Sequence, residues 1–165
     1  MMKFAIITLS DKGYAKERED LTGPALIDFI QKNLGFMELS YYTIIPDDKD
    51  ALKRELLELC EANVDLVITN GSTGIAPRDI APDVTQEVIE KRLWGFEEAM
   101  RLKSFEKTPT AIVSRACVGT RKNTLIINLP GSPKAAIENI GFIYKAIEHT
   151  IKKLQGDQTP CAGAV

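Results

Sequence analysis

The sequence predicts a single α/β domain built on a mostly parallel sheet. Short apolar runs rich in β-branched residues, such as residues 3–9 (KFAIITL) and 64–69 (VDLVIT), alternate with segments of helical periodicity. The 165 residues amount to about one domain at roughly 150 residues each. No internal repeat, low-complexity tract or linker divides the chain. Strands that alternate with helices in one such domain favour a parallel sheet flanked by helices.

The elements follow in order. Residues 3–9 read as a buried strand, and residues 10–23 (SDKGYAKEREDLTG) as a polar, glycine-punctuated loop. Pro24 opens a helix that runs to about residue 33, with Gly35 as its stop. Residues 38–45 (ELSYYTII) form a second strand, broken by Pro46, Asp47 and Asp48. Leu52, Leu56 and Leu59 fall at helical spacing in residues 49–62. Residues 64–69 are the most strand-like run, and residues 70–82 (NGSTGIAPRDIAP) form a long turn-rich loop. Helical patterning resumes at Asp83 and reaches about residue 93, where Gly95 breaks it before a helix over 96–105. Residues 110–114 and 124–129 read as strands flanking a polar turn that contains Gly119. Ser132 then caps, and Pro133 opens, one long helix. Its apolar positions Ile137, Ile140, Tyr144, Ile147, Ile151 and Leu154 recur at steps of three and four. Gly156 ends it, and residues 157–165 are expected to form a mobile tail.

Composition narrows the function classes. The 44% hydrophobic and 27% charged fractions are those of an ordinary globular protein. A net charge of −2, from 21 Lys and Arg against 23 Asp and Glu, argues against binding nucleic acid through bulk positive charge. Cys60, Cys117 and Cys161 are odd in number and form no CxxC, so a reducing cytoplasm is expected, without a disulfide framework or zinc site. The opening MMKFAIITLS has too short an apolar run for a signal peptide. No stretch approaches the ~18 apolar residues of a membrane span. The single histidine, His149, removes two-histidine metal and catalytic motifs, and is expected to be structural or exposed.

Ligands of parallel sheets bind beyond the carboxyl ends of the strands. There the sequence places Ser10 and Asp11, then Asp47 and Asp48, then Asn70, Gly71, Ser72, Thr73 and Gly74 with Arg78 and Asp79, and finally Pro130, Gly131, Ser132, Pro133 and Lys134. Residues 70–74 let the backbone turn tightly and present N–H groups, which fits a phosphate cradle or a plain strand-to-helix turn. They lack the P-loop lysine and the GxGxxG spacing. Ser132 and Pro133 fit ordinary capping. The same helix start also attracts anions, and Lys134 adds charge. Asp47 fits a turn or a cap, and Asp79 an ion pair with Arg78 or a cap. Together, on a rim that binds phosphates, they could hold Mg²⁺. The charged run from Lys12 to Asp20 reads as a solvated face, and Arg115 and Arg121 as surface charges more readily than phosphate ligands.

Taken in order, these segments resemble one family. Ser10-Asp11, residues 17–20 (ERED) with Gly23-Pro24, Ile45-Pro46-Asp47, residues 69–79 (TNGSTGIAPRD) and residues 128–135 (NLPGSPKA) look like the molybdopterin adenylyltransferase family. The resemblance implies a three-layer α/β sandwich with a mostly parallel central sheet, and a homotrimer. It implies that molybdopterin and Mg²⁺-ATP react to adenylylated molybdopterin and pyrophosphate, and that a molybdate-inserting enzyme takes the product. By that resemblance Asp47 and Asp79 are the catalytic, Mg²⁺-associated pair. Gly71, Ser72, Thr73 and Gly74 form the glycine loop for pterin and phosphate, and residues 130–134 the helix-start loop, with Ser10 and Asp11 beside them. The same family holds binding-only and scaffold relatives, which supply the alternative. Where the family loop reads Gly-Gly-Thr-Gly, this chain has Ser72. A positive φ there would strain a serine, and otherwise its hydroxyl could serve a phosphate.

Overall fold

The computed structural model describes residues 1–161. Six strands form one sheet: β1 (Met2–Leu9), β2 (Met37–Ile45), β3 (Leu66–Asn70), β4 (Lys91–Arg92), β5 (Val118–Arg121) and β6 (Thr124–Leu129), in the order β2-β1-β3-β6-β5-β4. The first four in that order run parallel; at one edge β5 pairs antiparallel with β6, and β4 antiparallel with β5. The α-helices among the described residues are α1 (Asp11–Tyr14), α2 (Thr22–Asn33), α3 (Lys49–Glu61), α4 (Ala81–Val88), α5 (Trp94–Lys107), α6 (Pro133–Ile143) and α7 (Ile147–Leu154).

Side chains alternate across each strand, so the sheet has two apolar faces. Phe4, Ile6, Leu66, Ile68, Leu125 and Ile127 pack against α2, α5, α6 and α7 through Leu26, Ile30, Met100, Ile140 and Ile151. Ala5, Ile7, Val67 and Ile126 pack against α3 and α4 through Leu52, Leu56, Leu59, Val84 and Val88. This is the three-layer α/β sandwich, and burial on both faces is why the central strands read as unbroken apolar runs.

Several boundaries differ from expectation. The loop of residues 10–23 contains the one-turn helix α1, capped by Ser10, whose Oγ accepts from the Gly13 N–H at 2.9 Å. Helix α2 starts at Thr22, two residues before Pro24. Helix α4 ends at Val88, and the chain then enters β4. Helix α5 begins at Trp94 with Gly95 in its first turn, so that glycine breaks nothing. Residues 110–114 are not a strand. Pro109–Val113 forms a 3₁₀ turn whose Ile112 and Val113 are exposed, so this β-branched run covers no core. The strand lies further on, in β5, and Gly119 is part of it. A Cβ there would come within 2.6 Å of Ile89 Cδ1 and 2.7 Å of the Lys91 carbonyl oxygen. The last helix is divided by a 3₁₀ turn at Tyr144–Ala146. The tail turns back at once: Lys153 Nζ donates to the Asp157 carbonyl at 3.0 Å, and Asp157 Oδ1 accepts from Thr159 N. Residues 162–165 of the expected mobile tail lie outside the described residues.

Candidate active site

Because β2, β1, β3 and β6 are parallel neighbours, their carboxyl ends form one rim. A cleft of about 930 Å³ opens there. It brings together Ser10, Asp11, Asp47, Gly71, Ser72, Asp79, Gly131, Ser132 and Pro133. Thr73, Gly74 and Pro130 instead line a separate pocket of about 280 Å³, shared with Met100 and Arg101 of α5. Lys134 is exposed on the first turn of α6 and lines neither.

The floor is set by close backbone approach. Gly71 has φ +92°, and a Cβ there would overlap the Leu9 carbonyl oxygen. A Cβ on Gly131 would lie 3.3 Å from Gly71 Cα. Ser72 also sits at positive φ, +61°. Its hydroxyl is engaged inside the loop, accepting from Ile80 N at 2.8 Å and donating to the Arg78 carbonyl at 3.1 Å. The serine thus meets the strained backbone with two local bonds, and its hydroxyl does not stand free towards the cleft. Gly74 makes room for Asp79, whose Oδ2 would lie 2.8 Å from a Cβ at that position and accepts from Ala76 N at 3.0 Å.

The two loops after β1 and β2 are tied reciprocally. Asp11 N donates to Asp47 Oδ2 at 3.2 Å, and Asp47 N to Asp11 Oδ1 at 3.0 Å. Arg78 closes the set: Nε donates to Asp11 Oδ2 at 2.6 Å, and Nη2 to Asp11 Oδ1 at 2.8 Å and to the Asp47 carbonyl at 3.2 Å. The ion pair foreseen for Arg78 is therefore with Asp11, not Asp79. The Arg78 hydrogen bonds hold the Asp11 carboxyl below its ordinary value. Burial pushes the Asp47 carboxyl up, and its hydrogen bonds only partly oppose this. Asp48 divides the labour with Asp47: it caps α3, accepting from Ala51 N at 2.8 Å. Ser132 likewise caps α6, accepting from Ala135 N at 3.2 Å.

Among the described residues no group of three or more His, Cys, Asp or Glu stands ready to hold a metal. Two carboxylates in one cleft nevertheless fit Mg²⁺, which takes one or two carboxylates and completes its shell with water and substrate phosphates. A half-buried Asp47 raised by desolvation is a carboxylate that a cation would favour.

A family model described as "Probable molybdopterin binding domain" matches residues 5–149. This chain belongs to that family. The chain is 39% identical over 153 residues to the molybdopterin adenylyltransferase of Helicobacter pylori strain 26695, covering 92% of this chain and 87% of that one. It is 33% identical to gephyrin of Dictyostelium discoideum, covering 88% of this chain but 21% of that longer protein. Among solved structures it superposes on the molybdopterin biosynthesis enzyme MoaB of Thermus thermophilus with a TM-score of 0.87 at 39% identity, covering 95% and 98% of the two chains. No described helix is long and apolar enough to cross a membrane.

Two residues of this chain have roles that no sequence motif assigns. Asp20, inside a run that looked solvated, accepts from Thr8 Oγ1 and Tyr42 Oη, each at 2.6 Å, and from the N–H groups of Thr22 and Gly23. Thr22 Oγ1 in turn donates to the Gly131 carbonyl at 2.7 Å, and Asn70 Nδ2 to Thr8 Oγ1 at 2.9 Å. Asp20 thus joins the ends of β1 and β3 to the start of α2. An acidic residue just ahead of Thr22-Gly23-Pro24 was the available signal, since such a position can accept from the free N–H groups of a helix start. Arg115, expected on the surface, turns its guanidinium into the loop after β3. Arg121 reaches no cleft, and donates to the Val88 carbonyl. His149 is exposed, as expected.

Proposed function

We propose that this protein adenylylates molybdopterin with Mg²⁺-ATP and releases pyrophosphate. The observation that carries the reading is one cleft holding both Asp47 and Asp79 beside the glycine turn at Gly71 and the start of α6. The molybdopterin adenylyltransferases among the relatives support it. A terminal phosphate oxygen of molybdopterin attacks the α-phosphorus of ATP. The new P–O bond forms as the bond to the β-phosphate breaks, and pyrophosphate leaves with that electron pair. Such chemistry needs positioning and charge neutralisation more than a protein nucleophile.

The chain's own groups divide this work. The backbone N–H of Ser72, in the turn after Gly71, and the N-terminus of α6, with the positive charge of Lys134 nearby, orient phosphates. Ser10, Asp11 and the Gly131–Pro133 segment shape the walls around them. Asp47 and Asp79 would hold Mg²⁺, which would supply charge stabilisation at the α-phosphate under attack and at the departing pyrophosphate. The Asp11–Arg78 pair keeps the Asp47 loop in place. We further propose a homotrimer in the cytoplasm that hands its product to a molybdate-inserting enzyme.

Purified protein mixed with molybdopterin, ATP and Mg²⁺ should yield adenylylated pterin and pyrophosphate. Pterin binding without product would instead support the non-catalytic binder of the same family. Asp47→Asn or Asp79→Asn should lower turnover on the order of 10²-fold or more, the usual loss for an electrostatic catalytic group. Molybdopterin affinity should hold or rise slightly. If Asp79→Asn lost pterin binding in step with turnover, assigning the aspartates to the nucleotide would be wrong.

A further inference from the structure

We infer that Arg115 is a positioning residue that fixes the main chain of the loop carrying Asp79, and so sets where that carboxylate stands for the nucleotide. The inference rests on the adenylyl-transfer reading for its consequence, though not for its geometry.

Arg115 follows the Pro109–Val113 turn, distant in sequence from the loop it serves. Its N–H donates to the Thr73 carbonyl at 2.9 Å. Its guanidinium makes the remaining contacts. Nε donates to the Gly74 carbonyl at 2.8 Å, Nη2 to the Asp79 carbonyl at 2.9 Å, and Nη1 to both oxygens of Asp83 at 2.9 and 3.1 Å. One planar fork therefore grips both ends of the Gly74–Asp79 turn and the first turn of α4. The side chain is 35% exposed, yet its fork is turned to the protein.

The grip matters because Asp79 depends on the shape of that turn. Its Oδ2 occupies the space a Gly74 side chain would fill and takes its hydrogen bond from Ala76 N inside the same turn. A change in the separation of the Gly74 and Asp79 carbonyls would move the carboxylate. A displacement of about 1 Å in a reacting assembly can cost on the order of 10²-fold in rate. The charge and the geometry of Arg115 are separable. Its attraction to Asp83 needs only a cation, whereas bridging two carbonyls needs a rigid fork with several donors, which lysine lacks.

Three variants test this: Arg115→Lys, Arg115→Gln and Asp83→Asn. Amide hydrogen exchange over residues 73–79, affinity for Mg²⁺ with a non-hydrolysable ATP analogue, molybdopterin affinity and melting temperature are measured beside turnover. Arg115→Lys should melt near the wild type. Its exchange over 73–79 should nevertheless quicken, and its nucleotide affinity or turnover fall on the order of 10-fold, with pterin affinity unchanged. Arg115→Gln should show the same losses and melt lower. Asp83→Asn should melt lower yet keep wild-type exchange in the turn and wild-type turnover. The inference is overturned if Arg115→Lys matches the wild type in exchange and nucleotide affinity. It is equally overturned if all three variants lose turnover in proportion to their melting temperatures. Should the wild type make no adenylylated pterin, the functional reading fails while exchange over 73–79 still decides whether Arg115 sets the turn.

Discussion

Asp47 and Asp11 face each other across two loop ends and are shifted in opposite directions, with opposite consequences for stability. Burial raises the Asp47 carboxyl, so the folded chain binds its proton more readily than the unfolded chain does. Stability then falls as pH rises through the window between the ordinary value and the raised one. Asp47→Asn removes that cost. Its melting temperature relative to the wild type should climb between acid and neutral pH even as turnover drops, and a difference that stays flat with pH would refute this. Asp11 is held low by Arg78, so its contribution is present above the ordinary carboxylate value and lost as pH falls through the lowered one. A larger effect belongs to Glu97, fully buried on α5. Burial works to raise it, but hydrogen bonds from Arg92, Val118 N and Arg101 outweigh that and hold it low. Among the described residues, Glu97→Ala takes the only carboxylate from two half-buried arginines that keep just one neutral acceptor each, and leaves a strand N–H unpaired, so it should destabilise by roughly 3 kcal/mol. Thermal denaturation reads this as a drop of about 6–12 °C, and a loss under 2 °C would show that water replaces the carboxylate. None of this was visible in the sequence, where Glu97 is one of two adjacent glutamates in an ordinary helical run.

At the scale of elements, the turn after β3 is the most constrained. Gly71→Ala would meet a positive φ and the Leu9 carbonyl together, so it should cost about 2 kcal/mol or more and disturb the cleft floor. Unchanged stability by chemical denaturation would mean that the strands give way easily. This turn was legible because its chemistry is local: glycines, hydroxyls and a buried strand lie side by side in the chain. The same holds for β1, β3, β6 and the Ser132 cap, whose signals are carried by the residues themselves. Elements defined by distant partners were misread. The β-branched residues from Thr110 to Val113 suggested a strand, but no neighbouring strand stands beside them and the run folds as a 3₁₀ turn. Helices α6 and α7 keep a common apolar spacing across Tyr144–Ala146, so periodicity alone joined them. Asp20 and Arg115 were missed because half of the partners of the one and most of those of the other are main-chain N–H and carbonyl groups, which every residue has and no motif records.

For the whole molecule, the exposed apolar residues Leu102, Phe105, Ile112 and Val113 lie on α5 and the turn that follows it. Exposed apolar residues on neighbouring elements suit a contact between protein surfaces. Together with the family resemblance this leads us to expect a closed trimer, with a light-scattering mass three times the chain's 18.3 kDa; a mass near that of one chain would reject it. The parallel wiring of the sheet has one more effect. While the cleft occupies the carboxyl rim, Asp65 at the opposite rim takes Lys3 N on one oxygen and Gln155 Nε2 on the other. The start of β1 and the exit from α7 are thus buttoned to a single carboxylate on the side facing away from the chemistry. Chain leading into β1 would therefore approach from that far side, clear of the mouth of the cleft.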